Sequence, residues 1–308
     1  MTVQDFDIVI IGAGVAGLTA AMTAGRFGAS VAVIGEMSLG GQIMTAPKIE
    51  NFPGFAQSVG GHELGPALHE QAEAAGAELM FDRVETIERE GELFIVRGGE
   101  ETLRARAVII AAGSRPRLLG VPGEKQFTGK GVSHCASCDG PLYRGKSVCV
   151  VGGGDAAFDE ALVLSEFAAR VTIVCATEAP TAQKILRDRA AAVSNIEVIA
   201  QTIVTGIIGA QTVAAITLHD ARVNAAASRD MDGVFVYIGM QPNSDFVRGL
   251  VDLDAAGHIL TDIMMATSMA GVFAAGDIRA QSVAQLASVA GDGATAAVAA
   301  VRFLGLGV

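Results

Sequence analysis

The sequence predicts an α/β protein made of two Rossmann-like (three-layer ββα) dinucleotide-binding domains, the second inserted in the first. Three observations carry this: a glycine fingerprint behind an apolar strand, a second copy of the pattern, and two small-residue strands that bracket the copy. The first fingerprint is Gly12-Ala13-Gly14-Val15-Ala16-Gly17. It follows an apolar strand predicted over residues 7–11 and opens a helical run to about Phe27. A strand over residues 30–34 comes next and ends at Gly35-Glu36. In that setting G-x-G-x-x-G is a strong signal. The glycines allow a tight turn and close backbone approach, so a pyrophosphate can rest on the helix N-terminus. Glu36 stands near where an acid binds a ribose hydroxyl, slightly late in the spacing.

The pattern recurs as a strand over 147–151, the turn Gly152-Gly153-Gly154-Asp155-Ala156-Ala157, a helix to about Ala168 and a strand over 171–175. Two fingerprints imply two dinucleotide sites, and so a flavin–nicotinamide oxidoreductase. Asp155 suits either helix capping or a cofactor contact. Two further strands, 108–114 with Ala112-Gly113 and 271–277 with Gly276-Asp277, end in small residues that let the chain approach a cofactor. The Asp277 carboxylate suits a ribityl hydroxyl or a phosphate-linked group. This order places one domain at 1–115 plus 244–308 and the other at 116–243, with Pro-containing crossings that read as hinges.

A dozen residues before the second fingerprint lies Cys135-Ala136-Ser137-Cys138-Asp139-Gly140. Two residues between thiols suit a reversible disulfide, and Asp139 gives protons a nearby site when it is reduced. Structural zinc wants four ligands, and the chain has no second Cys-x-x-Cys or closely spaced His pair. Cys149, within a strand, reads as an inert thiol, and Cys175, at the end of one beside the expected ribose site, as structural.

Composition narrows the rest. The chain has 308 residues and a net charge of −11, with no Lys/Arg run that would mark a nucleic-acid partner. Four cysteines in this length are not a disulfide scaffold, so a reducing cytoplasm is expected. The acidic start has no basic region followed by an apolar one, and no apolar run suits a membrane span.

With these residues in view, the whole chain resembles the low-molecular-weight thioredoxin reductases and the C-terminal half of the alkyl hydroperoxide reductase flavoprotein. The resemblance is carried by both fingerprints, the Cys-x-x-Cys-Asp-Gly stretch, Gly40-Gly41-Gln42, Glu50-Asn51-Phe52-Pro53-Gly54 and Gly271-Val272-Phe273-Ala274-Ala275-Gly276-Asp277. It implies FAD in the first domain, NADPH or NADH in the second, a homodimer, and a second domain that rotates between two states. It also implies that Cys138 faces the flavin, Cys135 attacks the outside disulfide and Asp139 is the acid–base residue. Gly41, Gln42, Asn51, Ala112, Gly113, Asp277 and Gln285 join Gly12, Gly14, Ala16, Gly17, Glu36 and Gly276 around FAD. Gly152, Gly154, Asp155 and Ala157 belong to the nicotinamide nucleotide. The expected partner is thioredoxin or a thioredoxin-like protein, or a small-molecule disulfide or dithiol.

The sequence departs from the family in three places. The flavin-contacting Arg-Gln pair is matched by Ala284-Gln285 only in its second member. Where NADPH-dependent members carry His-Arg-Arg and a later Arg, this chain has Cys175-Ala176-Thr177 and Thr181. Losing two charge-assisted bonds to a 2′-phosphate weakens NADPH binding by roughly 10²–10⁴-fold. After Asp-Gly the chain reads Pro141-Leu142-Tyr143 in place of the aromatic pair where thioredoxin docks. These departures raise an alternative: a ferredoxin-dependent reductase or a small-molecule dithiol oxidase.

Overall fold

The computed structural model describes residues 3–36 and 40–307; Met1 and Thr2 of the acidic start lie outside that range. The chain divides into two compact units, Met1–Arg115 with Gln241–Val308, and Pro116–Met240.

The first unit opens on β1 (Gln4–Ile11), α1 (Val15–Arg26) and β2 (Val31–Gly35). It continues through α2 (Gly61–Ala74), β3 (Glu78–Phe81), β4 (Val84–Glu90), β5 (Leu93–Gly98) and β6 (Thr102–Ile110). The strand order is β3-β2-β1-β6-β5-β4. The β3-β2-β1-β6 run is parallel, while β4 and β5 continue it antiparallel. Strands buried on both faces need continuous apolar sequence, and Ile8, Val9 and Ile10 are each 0% exposed.

The second unit follows the short strand β7 (Ser114–Pro116), with α3 (Glu124–Phe127), β8 (Val132–Ser133) and α4 (Ala136–Asp139). Then come β9 (Ser147–Val151), α5 (Asp155–Ser165), β10 (Arg170–Val174), α6 (Lys184–Ala191) and β11 (Ile196–Ile199). The antiparallel strands β12 (Thr202–Gly209), β13 (Val213–Asp220) and β14 (Ala225–Asp230) precede β15 (Gly233–Val236). A five-stranded sheet, β11-β10-β9-β15-β8, has helix α5 packed on one face and the three-stranded sheet on the other, the three layers the sequence predicts. Strand β16 (Met240–Pro242) returns the chain to the first unit, which ends in β17 (Val272–Ala274) and α7 (Leu286–Phe303).

Strand β17 pairs with the second half of β6, on the edge whose first half pairs with β5. One nine-residue strand thereby carries both the antiparallel extension and the last parallel strand. Helices α1, α2 and α7 cover one sheet face. Gly293 lets α7 lie against α1, since a Cβ there would stand 2.2 Å from the Ala16 carbonyl oxygen. Among the described residues no helix is long and apolar enough to cross a membrane.

Three expected elements are shorter. The 108–114 strand stops at Ile110; the Ala111 amide still bonds the Ile11 carbonyl, and Gly113 then turns left-handed (φ +62°). The 271–277 strand spans only Val272–Ala274, since the Gly276 N–H leaves the sheet to bond Asp292. The helix predicted to Ala168 ends at Ser165, where the Glu166 and Phe167 amides turn back to Val163 and Leu164.

Candidate redox and dinucleotide sites

The thiols lie in the second unit. Cys135 has extended backbone (φ −141°, ψ 101°) and caps the single turn of α4, so that its Sγ accepts the Cys138 N–H at 3.2 Å. Cys135 and Cys138 form a disulfide, with Cα atoms 5.3 Å apart. Cys138 is exposed and Cys135 half-buried. The preceding turn is fixed by Ser133, whose Oγ accepts the Cys135 N–H at 3.1 Å. The Asp139 amide donates to the Cys135 carbonyl at 3.1 Å, which keeps the acid one residue beyond the second sulfur.

Behind this turn the first free amide of α4, from Ala136, donates to Glu160 Oε2 and to the Tyr237 hydroxyl, each at 3.1 Å. The Tyr237 hydroxyl also bonds the Glu160 carboxyl. Burial pushes the Glu160 carboxyl above the ordinary range and Asp159 adds to that, while the Ala136 amide and Tyr237 pull it back. Burial, and then Glu160, push the Tyr237 phenol well above its usual value. Sequence reading did not find this pair. Glu160 follows Asp159 on a helix and looks like one of two surface acids, and only the fold brings Tyr237 to it.

In the first unit several of the residues expected at FAD come together around the first glycine turn. Gly12 has φ +110°, and a Cβ there would fall 2.3 Å from the Ala111 carbonyl oxygen. Gly14 has open space around its Cβ position, and no side chain caps the helix that starts beside it. An open, uncapped helix start of this kind suits a diphosphate. Gly14 bridges to Gly40, and Gly41 closely approaches Gly14. Gln42 donates through Nε2 to the Ser114 carbonyl at 2.9 Å, beside Gly113, and Asn51 Nδ2 donates to Gln285 Oε1 at 2.9 Å. Ala16 and Gly276 pack together under the turn, and the Ala112 carbonyl accepts Asn243 Nδ2 at 2.9 Å. Glu36, at the end of β2, is exposed, with Arg83 3.5 Å away.

Asp277 has one long hydrogen bond in its surroundings, from Ser282 Oγ at 3.4 Å. Burial, with Asp292 nearby, raises its carboxyl above the ordinary range. A half-buried carboxyl with spare acceptor capacity suits a hydroxyl-bearing ligand. The open helix start, the exposed Glu36 and this carboxyl together fit FAD. Arg279 and Asp292, also missed from sequence, brace the segment. Arg279 Nε and Nη2 donate to the Asp292 carboxylate at 2.6 and 3.0 Å, and the Gly276 N–H donates to it at 3.2 Å.

The second glycine turn is built differently at its edge. Gly152 has φ +146° and sits against the Tyr237 carbonyl, and Ala157 is buried beneath it as packing. Asp155 neither caps α5 nor stands free: its carboxylate accepts the Gln183 N–H at 2.7 Å and Gln183 Nε2 at 2.6 Å. The Gly153 carbonyl accepts the Thr181 and Ala182 amides at 2.8 and 3.0 Å, so the loop after β10 folds onto the turn. Gly154 keeps open space, its nearest neighbour being Thr181 Oγ1 at 3.9 Å. Cys175 is buried, its Sγ 3.0 Å from Thr177 Oγ1, and the Thr177 hydroxyl donates to the Ala179 carbonyl at 2.7 Å. Lys184, the nearest downstream cation in sequence, pairs with Asp188 at 2.5 Å.

The family model described as "Pyridine nucleotide-disulphide oxidoreductase" matches residues 6–294. Thioredoxin reductase of Treponema pallidum is 40% identical over 303 residues, covering 97% of each chain. Thioredoxin reductase of Mycolicibacterium smegmatis is 41% identical, covering 97% of this chain and 96% of its own. The crystal structure of Lactococcus lactis thioredoxin reductase superposes with a TM-score of 0.94 at 35% identity, covering 97% of this chain and 99% of its own. The chain belongs to the pyridine nucleotide-disulphide oxidoreductase family, as an FAD-dependent dithiol–disulfide oxidoreductase similar to the thioredoxin reductases.

Proposed function

We propose that this enzyme passes electrons from a nicotinamide nucleotide to thioredoxin or a thioredoxin-like protein through the Cys135–Cys138 pair. The observation that carries the reading is the disulfide itself, one bonded pair on a turn in which Cys138 is an exposed residue, Cys135 a half-buried one, and an acid stands next to Cys138. FAD, when bound, supplies the two-electron transfer between nucleotide and dithiol. In this proposal Gly12, Gly14, Gly41 and Gly113 leave room for it. Glu36 and Asp277 accept its hydroxyls, while Gln42 and Asn51, the latter held by Gln285, border its ring. The unit of residues 1–115 and 241–308 is then the FAD domain, and 116–240 the nucleotide domain.

Within the thiol turn, Cys135 attacks the partner's disulfide as a thiolate, which the Cys138 N–H stabilises. Asp139 gives or takes the proton that thiol–disulfide exchange moves. The Pro141-Leu142-Tyr143 segment beside it leaves Leu142 67% exposed, which supports a docking role for a protein partner. The homodimer, carried over from the family resemblance, and the cytoplasmic location, expected from the four cysteines, complete the proposal.

The donor is the distinctive part. Ala176, Thr177 and Thr181 offer no guanidinium to a 2′-phosphate, the Thr177 hydroxyl donates within its own loop to the Ala179 carbonyl, and the Thr181 hydroxyl donates to the Gly153 carbonyl of the glycine turn. We therefore expect no preference for NADPH over NADH. Gly152 and Gly154 remain the places where either nucleotide's diphosphate meets the helix start. Anaerobic titration of the oxidised holoenzyme with each nucleotide tests this. Bleaching of the flavin band by NADH at concentrations equal to or below those needed with NADPH supports it. A preference for NADPH of a hundredfold or more rejects it. Bleaching by neither, with bleaching by a dithiol or reduced ferredoxin, rejects a nucleotide donor altogether.

A further inference from the structure

We propose that Glu160, clasped with Tyr237 on the Ala136 amide, is a positioning residue that sets how readily the Cys135 sulfur carries negative charge. The amide that receives the clasp belongs to the residue after Cys135, so both side chains hold the redox turn from behind. Within the turn, the Cys138 N–H donates to Cys135 Sγ at 3.2 Å. The turn thus carries both a donor that favours a thiolate on Cys135 and, on the next residue's amide, a carboxylate that opposes it. All these groups belong to the same unit, so the coupling requires no domain movement.

A hydrogen-bonded acid is an unusual backing for a nucleophilic thiol. Had only the turn's shape mattered, a neutral acceptor on the Ala136 amide would have sufficed. A carboxylate within a few ångströms of the turn also penalises a second negative charge there. The charges acting on the pair include Asp159, beside Glu160 on α5, and Asp139 in α4, which acts on Tyr237; the titratable His134, next to Cys135, bonds the Val236 carbonyl through Nδ1 at 3.1 Å. Both aspartates are negative, so neither neutralises Glu160.

In an exchange with dithiothreitol the enzyme's S–S bond breaks and dithiothreitol closes to its cyclic disulfide. Two electrons pass to the enzyme sulfurs, which end as one thiol and one thiolate, and one proton goes to solvent. An ionised Glu160 makes that thiolate harder to form. Glu160→Gln keeps an oxygen for the Ala136 amide and removes the charge.

The inference rests on Cys135–Cys138 being the redox pair, and its test reads the sulfur alone, with no donor or partner protein present. In Cys138→Ser holoenzyme the rate of Cys135 alkylation by iodoacetamide is followed against pH, with and without Glu160→Gln. The half-maximal pH is expected to fall by about one unit in the Gln variant. In otherwise wild-type holoenzyme, Glu160→Gln is expected to shift the dithiothreitol equilibrium about tenfold toward the reduced protein, about 30 mV. Tyr237→Phe, which removes the hydroxyl from the carboxyl, is expected to shift the profile the same way by less, and decides the question should the Gln variant not fold. An unchanged profile in the folded variants overturns the proposal, even if turnover falls. A changed profile with thioredoxin turnover missing in the wild type leaves this inference standing and rejects the proposed partner.

Discussion

Asp292→Ala is the substitution whose consequence the structure fixes most closely. Asp292 is 6% exposed and accepts three bonds, two from the Arg279 guanidinium and one from the Gly276 amide. Truncation leaves a largely buried guanidinium without its partner and a buried amide unbonded. Breaking one side of a buried pair costs about 3–5 kcal/mol. Arg279 is 18% exposed at its side chain, so water reaches part of the stranded charge and the lower end, about 3 kcal/mol, is the expected loss. For a cooperative unit of this size each kcal/mol lowers Tm by roughly 2–4 °C, so about 6–12 °C is expected. Thermal unfolding followed by circular dichroism reads this directly. The double variant Asp292→Leu with Arg279→Met is expected to recover more than half of the loss, because both charges leave together. A fall of less than about 2 °C for Asp292→Ala, or a double variant worse than the single, refutes the account of this brace.

Three further outcomes follow from the same structure. Gly12→Ala forces a Cβ to within 2.3 Å of the Ala111 carbonyl at φ +110°, so the variant is expected to purify without bound FAD or to lose roughly 3 kcal/mol or more of stability in denaturant. The Asp277 carboxyl is raised in the folded protein by burial, so between its ordinary value and the raised one the native state holds the extra proton. Its contribution to stability therefore falls as pH rises through that window and is flat below it. FAD-free Asp277→Asn is expected to be more stable than FAD-free wild type at neutral pH, with the difference vanishing in acid; equal stability at both pH values contradicts this. Cys149 is fully buried with its thiol pushed up to about 12 by burial, and Cys175 is 1% exposed. Thiol titration of the native oxidised protein is therefore expected to find almost no reactive thiol until denaturant is added.

The glycine turns were legible in the sequence because they are backbone requirements. Positions such as Gly12 and Gly152 admit no side chain whatever their neighbours, so the requirement is written locally. The Cys-x-x-Cys pair was legible for the same reason, since two residues suffice to close it. Side-chain partnerships across elements were not. Glu160 meets Tyr237, and Arg279 meets Asp292, only once a strand and a helix, or a turn and a helix, have packed. Asp155 shows the same limit. A carboxylate at a helix start reads as a cap or a ligand contact, and only the fold shows that the Gln183 amide and side chain each bond one of its oxygens. Asn243 illustrates how a boundary is decided by bonds. Its amide and side chain donate to Gly113 and Ala112, which ties it to the first unit, although its Pro-containing surroundings read as a hinge.

The most direct test of the central claim is a count of electrons and thiols. Oxidised holoenzyme would be reduced anaerobically with dithionite, the flavin band followed, and the sulfurs trapped with an alkylating reagent. The account predicts two electrons per chain for the flavin and two more for the disulfide, with Cys135 and Cys138 both alkylated only after reduction. Uptake of two electrons alone, with no newly reactive thiol at either position, would contradict it.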